Sequence, residues 1–452
     1  MSVDFKSHEK DILIDVLNEY SLMDSNNIYK IIKNMIYEDV EEYQENGSLR
    51  YKYTLRFGEK DGLYEEWFEN GQKDTECNYR DGKAEGLCQR WLDNGQIIEK
   101  YHFRDGKRHG LYQNWWDRVA DNTISDRGQK YTECYYLNGK REGLCKVWFK
   151  NGQKMEECHY RDGKLDGLYQ SWRDNGQKLV ECYYKDGKEE GLYQEWWNNG
   201  QKWKECYYKD GKEEGIRQEW LDNGKKTVEC HCRDGKLDGL YKAWWDRVAD
   251  NTIGDRGQKW IECHYRDGKK EGLYKEWKHN GYLGIECYYQ NGKLEGIYTQ
   301  WFDNEIVLGN GQKYIECHYR AGKAEGLYQW WHSNGQKRTE CYYQDGKLEG
   351  LYQSFFENGQ KEIECHYRNN KKEGLYSEWF YNGKKKEECH YRNNKREGMC
   401  QDWFSNGQKS KECCYMIHVK ESKLDGLYKE WNYEGQLIKE WHYRVGKKLK
   451  IK

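Results

Sequence analysis

The sequence predicts an all-β repeat array: an elongated, twisted antiparallel meander of stacked β-hairpins in 24-residue units, preceded by a short N-terminal helical segment. Three observations carry that expectation. A glycine followed five positions later by tryptophan recurs along the chain, mostly in steps of 24. Each such segment continues into Asn-Gly, then Glu-Cys-x-Tyr, then Asp-Gly-Lys. The 452 residues contain 47 glycines and no proline, as expected where many tight turns join strands whose N–H groups are all needed for pairing.

Segment GLYQEWWNNGQKWKECYYKDGKEE, opening at Gly191, shows the unit in full. Its first strand is Gly-Leu-Tyr-x-x-Trp. Asn-Gly follows, a strong hairpin signal that predicts a two-residue turn with both positions at positive φ. The second strand is Lys-x-x-Glu-Cys-x-Tyr, and Asp-Gly-Lys turns the chain into the next unit. The columns that define the array include Gly62, Gly86, Gly191, Gly350 and Gly374, with Trp67, Trp91, Trp196 and Trp379, and the buried-cysteine column that includes Cys206. Only Phe355 replaces tryptophan in its column, and Tyr101 and Trp441 replace cysteine. Glu38 to Asp61 reads as a degenerate first unit, so the array is assigned to residues 38–452.

Alternation assigns the faces. Leu and Trp of the first strand share one face and Tyr points to the other. Cys and Tyr of the second strand share a face, while Glu and the His or Tyr between Cys and Tyr point away. One thin sheet cannot bury a globular core, so stability must come from aromatic ladders between neighbouring repeats.

Residues 1–37 break the pattern. Ile12, Leu13, Val16, Leu17 and Tyr20 have helical spacing, and Asp24 is placed to cap a second helix bearing Ile28, Ile31, Ile32, Met35 and Ile36. The segment reads as a helical cap on the first hairpin; residues 11–31 also loosely resemble the start of an F-box adaptor motif, without its Leu-Pro opening. Turn insertions at 117–125, 246–254 and 305–310, and another near Met416 to Glu421, lengthen the sheet edges. The first two differ only at Ser125 and Gly254, which points to duplication of a block of repeats.

Composition bounds the function. Charged residues reach 34% and mean hydropathy is -1.27, yet aromatics make up 16%, far from a disordered chain. The formal net charge of -2 and pI near 6.7 give no case for nucleic acid or an anionic membrane. The N-terminus lacks an apolar run of signal-peptide length, and no stretch approaches the roughly 18 apolar residues of a membrane span. The 18 cysteines therefore suggest reduced thiols in a cytoplasmic setting. Equivalent cysteines of successive repeats lie two strands apart, roughly 9–10 Å, beyond the reach of about 7 Å for a disulfide. No Cys-x-x-Cys zinc spacing, phosphate loop, Ser nucleophile motif or HExxH helix occurs. Glu-Cys-His-Tyr, as at Glu157 to Tyr160, puts Glu and His on one face, but it recurs with Tyr in place of His, unlike a singular active site. No catalytic residue, metal or cofactor is expected.

The unit DGKxEGLYQEWWxNGQKxxECYY resembles the MORN-variant repeat, seen in bacterial antitoxin-like proteins and in large DNA viruses of amoebae. The resemblance covers residues 38–452 and rests on the Gly-Leu-Tyr, Trp, Asn-Gly and Asp-Gly positions; the cysteine column and turn loops depart from the familiar MORN pattern. It implies a curled antiparallel sheet and a role in contacting protein or lipid, in host cytoplasm if the source is viral. The leading expectation is a non-enzymatic scaffold or adaptor for an unknown protein partner. Alternatives are an antitoxin-like neutraliser of a protein partner, a membrane-surface module, and an F-box-type adaptor acting through residues 1–37.

Overall fold

Glycine turns at short intervals leave the chain room only for short strands, and the structure, a computed structural model, is built from them. It describes residues 36–116, 128–245, 257–302, 311–418 and 421–449. The expected helices before residue 36, the insertions at 117–125, 246–254 and 305–310, and residues 419–420 of the fourth lie outside the described residues. Within them, every element is a strand, from Tyr37–Tyr43 to Lys447–Lys448. The chain divides into two compact units, Met1–Glu213 with Asp222–Gly224, and Glu214–Leu221 with Lys225–Lys452. Within each unit, successive strands pair antiparallel, so that Lys154–Arg161 lies between Gly143–Trp148 and Lys164–Trp172 in the first, and Lys361–Arg368 between Lys347–Phe355 and Lys371–Trp379 in the second. The degenerate first repeat is a hairpin of Tyr37–Tyr43 with Leu49–Arg56.

The two kinds of turn differ from the expected assignment. Asp-Gly, between repeats, is the two-residue turn: Asp345 has φ 52° and Gly346 φ 77°, closing the pair Gln344 and Lys347. At Asn-Gly, inside the hairpin, only the glycine is left-handed. Gly359 has φ 82°, its N–H donates to Phe356 O at 2.9 Å, and the Phe356 N–H donates to Gln360 O at 2.8 Å. This is a three-residue loop ending in a left-handed glycine. The dipeptide alone does not decide, because Asn138-Gly139, standing where Asp-Gly usually stands, does form the two-residue turn with φ 49° and 85°. Inside the hairpin the asparagine side chain has other work: Asn358 Oδ1 accepts from the Gln360 N–H at 3.0 Å and its Nδ2 donates to Tyr381 O of the next repeat at 3.0 Å.

The glycine that opens each repeat sits in a bulge. Cys341 pairs with Tyr352 and Tyr343 with Leu348, so the single residue Tyr342 faces Glu349, Gly350 and Leu351. The extra residues bend the strand, and Gly350 absorbs the bend at φ 79°. A Cβ on Gly350 would meet nothing within 4 Å, so glycine is required by backbone conformation and not by space.

Gly350→Ala is therefore expected to lower the unfolding free energy by about 1–2 kcal/mol in urea denaturation, with Gly350→Asn losing less. An alanine variant as stable as the parent chain would remove the bulge explanation.

Candidate functional site: two faces and two edges

Each repeat presents four chemically distinct strips. In the repeat opening at Gly191, Leu192 faces Tyr207, Tyr193 faces Cys206, Gln194 faces Glu205, and Trp196 comes level with Lys202 across a register shift. Directly opposed residues project to the same side of the sheet, so the tyrosine and cysteine columns share one face, as the alternation predicts, and leucine, tryptophan and the His/Tyr column share the other.

On the first face, tyrosines roof the cysteines. Tyr352 and Tyr367 lie 5.6 Å apart edge-to-face, as do Tyr376 and Tyr391. Beneath them only a small apolar side chain fits: Cys206 is 0% exposed, Cys365 2% and Cys389 0%. A basic side chain often covers the rings, with Lys270 Nζ 4.1 Å from the Tyr274 centroid and Lys372 Nζ 4.0 Å from that of Tyr376. Burial pushes the thiols up, to about 12 for Cys182 and Cys341 and about 11 for Cys263 and Cys317.

The opposite face is a polar ladder with an apolar stripe. Lys178 Nζ lies 2.5 Å from Glu181 Oε2, Gln170 Nε2 donates to that same oxygen at 2.6 Å, and the ammonium stands 5.5 Å from the Trp196 centroid of the next repeat. Lys361, Glu364, Gln353 and Trp379 repeat the arrangement. The lysine beside it holds Glu181 below the usual carboxylate range. Beside this ladder the His/Tyr column stands exposed, with Tyr135 53%, Tyr183 49% and Tyr207 51%, while the leucine column is exposed in some repeats, as at Leu63 43%, Leu111 37% and Leu144 38%, and half-buried in others, as at Leu168 and Leu192.

Both edges carry hydrogen bonds from repeat to repeat. Along one, Asn151 Nδ2 donates to Asp174 O at 2.7 Å and Asn334 Nδ2 to Glu357 O at 2.6 Å. Along the other, Glu142 Oε2 accepts from the Asp162 N–H at 2.9 Å and Glu325 Oε2 from that of Asp345 at 2.8 Å.

The residues singled out from the sequence take structural places in these strips. Gly62, Gly86, Gly191, Gly350 and Gly374 all lie at positive φ with open space where a Cβ would stand. Trp67, Trp91, Trp196 and Trp379 are half-buried at the ends of first strands, and Cys206 is in the tyrosine-roofed column. They are spread over five repeats and converge on no common centre. Among the described residues no group of three or more His, Cys, Asp or Glu is placed to hold a metal ion, and no helix is long and apolar enough to cross a membrane. Two depressions, of about 400 Å³ beside Trp197 and Trp203 and about 350 Å³ beside Leu111 and Tyr135, open broadly to solvent.

Sequence reading missed two features. The Gln, Glu and Lys columns were not singled out, although their fixed offsets on one face mark a network. The cysteines outside the column were also passed over. Cys88, Cys145 and Cys400 stand where the first strand normally carries tyrosine. The argument from the column holds for equivalent cysteines two strands apart, but these three sit on the strand in between, directly across from a column cysteine. Cys77–Cys88, Cys134–Cys145 and Cys389–Cys400 are brought within bonding distance, each with a Cα separation of 4.2 Å. Six of the 18 thiols are thus paired closely enough to bond, which the reading of uniformly reduced thiols did not provide for.

Within each unit the described hairpins pair with the hairpins that precede and follow them, which defines a β-repeat protein. Eight segments, residues 60–81, 141–162, 165–186, 189–210, 324–345, 348–369, 372–393 and 424–444, match the MORN repeat variant. The chain is a MORN-variant repeat protein. No curated protein matches it. Among solved structures, an S. aureus TarM mutant in complex with Fondaparinux, alpha-GlcNAc-glycerol and UDP is similar over 35% of this chain and 27% of that one, at 11% identity and a TM-score of 0.16. TcdB2-TccC3 is similar over 90% and 26%, at 10% identity and a TM-score of 0.15. The chain spans about a quarter of either neighbour's length, and neither likeness bears on its activity.

Two outcomes follow from the strips. A thiol whose folded value is raised from 9 favours the folded state while both states are neutral. That contribution is complete below about pH 9 and is lost as the pH rises through 11 to 12, because the unfolded thiols ionise first. Circular dichroism against pH is expected to show cooperative loss of strand signal across that window, and a flat signal to pH 12 would remove the thiol contribution. Trp379→Ala is expected to cost about 2 kcal/mol, below the range for fully buried rings. Trp379→Phe is expected to cost less than about 1 kcal/mol in the same thermal melts, since Phe355 already serves in that column.

Proposed function

We propose that the chain is a non-enzymatic scaffold that holds a protein partner in the cytoplasm, along the face opposite its tyrosine–cysteine core. One observation carries this reading: the exposed column of tyrosines and histidines that repeats along that face, joined in several repeats by an exposed leucine or isoleucine. In the first compact unit it includes Leu63, Leu87, Leu111 and Leu144 with Tyr135, Tyr183 and Tyr207; in the second, Ile216, Tyr288, Ile297, Tyr342 and Leu375. Scattered exposed apolar residues are ordinary, but a regular row is not. Flanked by the Lys–Glu–Gln ladder, it has the apolar centre and polar rim of a protein interface, and tyrosine supplies large contact area at low entropic cost. The MORN-variant repeat itself supports a repeat scaffold or binding module. A non-enzymatic role is supported by the distribution of every prominent side chain along the array instead of around one concave centre.

The test is affinity purification from native cells with the intact chain and with Tyr183→Ser combined with Tyr207→Ser. A reproducible protein partner is expected, retained by the intact chain and lost by the double variant, whose strand signal stays unchanged. A partner retained equally by both, or no reproducible partner, would overturn the proposal.

A further inference from the structure

Two of the three close cysteine pairs have a third thiol beside them on the next strand. Cys145 lies on the strand between those of Cys134 and Cys158. It is 4.2 Å from Cys134 by Cα separation and directly paired in register with Cys158. Cys400 likewise faces Cys389 on one side and Cys413 on the other. Each triad is a continuous buried cluster, with exposures of 1%, 3% and 0% in the first and 0%, 2% and 1% in the second. The remaining pair is different: Cys88 faces Cys77 on one side and Tyr101 on the other. The cause is a substitution pattern. Where cysteine replaces the roofing tyrosine between two column cysteines, three small thiols line up across three strands; where tyrosine also replaces a column cysteine, only two do.

We propose that Cys145 and Cys400 are thiol–disulfide exchange centres, each able to bond to either flanking strand, so that oxidation installs a covalent staple that moves by one strand. Non-hydrogen-bonded neighbours in an antiparallel sheet sit about 4.5 Å apart between Cα atoms, near the lower limit of ordinary disulfides. The partner on the strand's other side is then the hydrogen-bonded one, about 5.5 Å away between Cα atoms and inside the ordinary disulfide range, so register alone brings both partners of a central cysteine within reach. The chemistry balances. In oxidation, two thiols give up two protons and two electrons to hydrogen peroxide, which leaves as two waters. In exchange, the Cys158 thiolate attacks Cys145 Sγ; the Cys145–Cys158 bond forms, the Cys134–Cys145 bond breaks, and the electron pair leaves on Cys134 Sγ, which takes a proton. Cys158 faces Glu156, whose Oε1 accepts from its Sγ at 3.3 Å, together with Tyr160 and Arg141. Burial raises it to about 12, so exchange at neutral pH is slow and oxidation of reduced protein reports the choice of partner more directly.

The two positions of the staple differ mechanically. Cys134–Cys145 spans the Asn138-Gly139 turn and ties one repeat to the next, whereas Cys145–Cys158 spans the Asn151-Gly152 turn and closes a single hairpin. In an array whose repeats touch only their neighbours, the first blocks separation of repeats at that joint and the second leaves the joint free.

The test is peptide mapping by mass spectrometry after the full-length chain is reduced, freed of reductant, treated with hydrogen peroxide and then unfolded in acidic denaturant with N-ethylmaleimide, which blocks every thiol left uncrosslinked. Cys134→Ala is expected to lose the 134–145 crosslink and gain Cys145–Cys158 as the dominant one. Cys389→Ala is expected to shift the second triad to Cys400–Cys413 in the same way. Cys77→Ala is expected to leave Cys88 fully blockable, because its other neighbour is a tyrosine. Circular dichroism confirms that each variant keeps its strands, and the two triads provide independent readings if one variant fails to fold. The proposal is overturned if folded Cys134→Ala or Cys389→Ala leaves both remaining thiols of its triad blockable under oxidation that crosslinks Cys77 to Cys88.

Discussion

A two-strand repeat has no interior, and everything in this chain answers to that constraint. The sheet buries little more than a column of cysteines, and it does so only because a tyrosine from the same hairpin and others from adjoining strands close over each thiol. The cluster of Cys263, Tyr274 and Cys287, packed against Tyr241, Tyr265, Tyr289 and Tyr298, draws on several successive strands at once. No repeat can complete it alone. That is the energetic reason for an array: each hairpin supplies half of a roof that its neighbour finishes.

The same dependence shapes the rest of the repeat. Lys178 belongs to one hairpin and covers the tryptophan of the next, while its charge is met within its own hairpin by Glu181. Asn151 caps its own turn and reaches the following one, and Glu142 receives the N–H of the following Asp-Gly turn. Individually such bonds are modest, about 1 kcal/mol each. Their repetition on both edges and both faces holds neighbouring hairpins in one register, which a flat, half-polar strand would otherwise hold weakly. On the ladder face the His/Tyr column stands clear of this packing, and that is why it is the surface proposed for a partner.

Cysteine in the tyrosine column changes the chemistry without changing the fold. At Cys88, Cys145 and Cys400 the roof loses a ring and the strand gains a thiol directly opposite another. The fold tolerates this because both residues suit a narrow buried position, one as floor and one as roof. What differs between the three places is the residue on the far strand, Tyr101 beside Cys88 but Cys158 and Cys413 beside the others.

Periodicity made most of the architecture readable: strand order follows from turn spacing, and face assignment follows from the two-residue repeat of a pleated strand, so tyrosine with cysteine and leucine with tryptophan could be sorted from the residues themselves. The rest depends on the third dimension. Asn138-Gly139 and Asn358-Gly359 are the same dipeptide in different turns, because loop length and the asparagine's reach to the next repeat set the backbone. The opening glycine reads as the first residue of a strand along the chain but sits in a bulge, visible only when Tyr342 is placed opposite three residues. Columns two strands apart could be excluded as disulfides from strand spacing, yet the cysteine on the strand between them becomes a neighbour only once register aligns it. A linear chain states which residues alternate and repeat; cross-strand register, a property of pairs far apart in sequence, decides which of them touch.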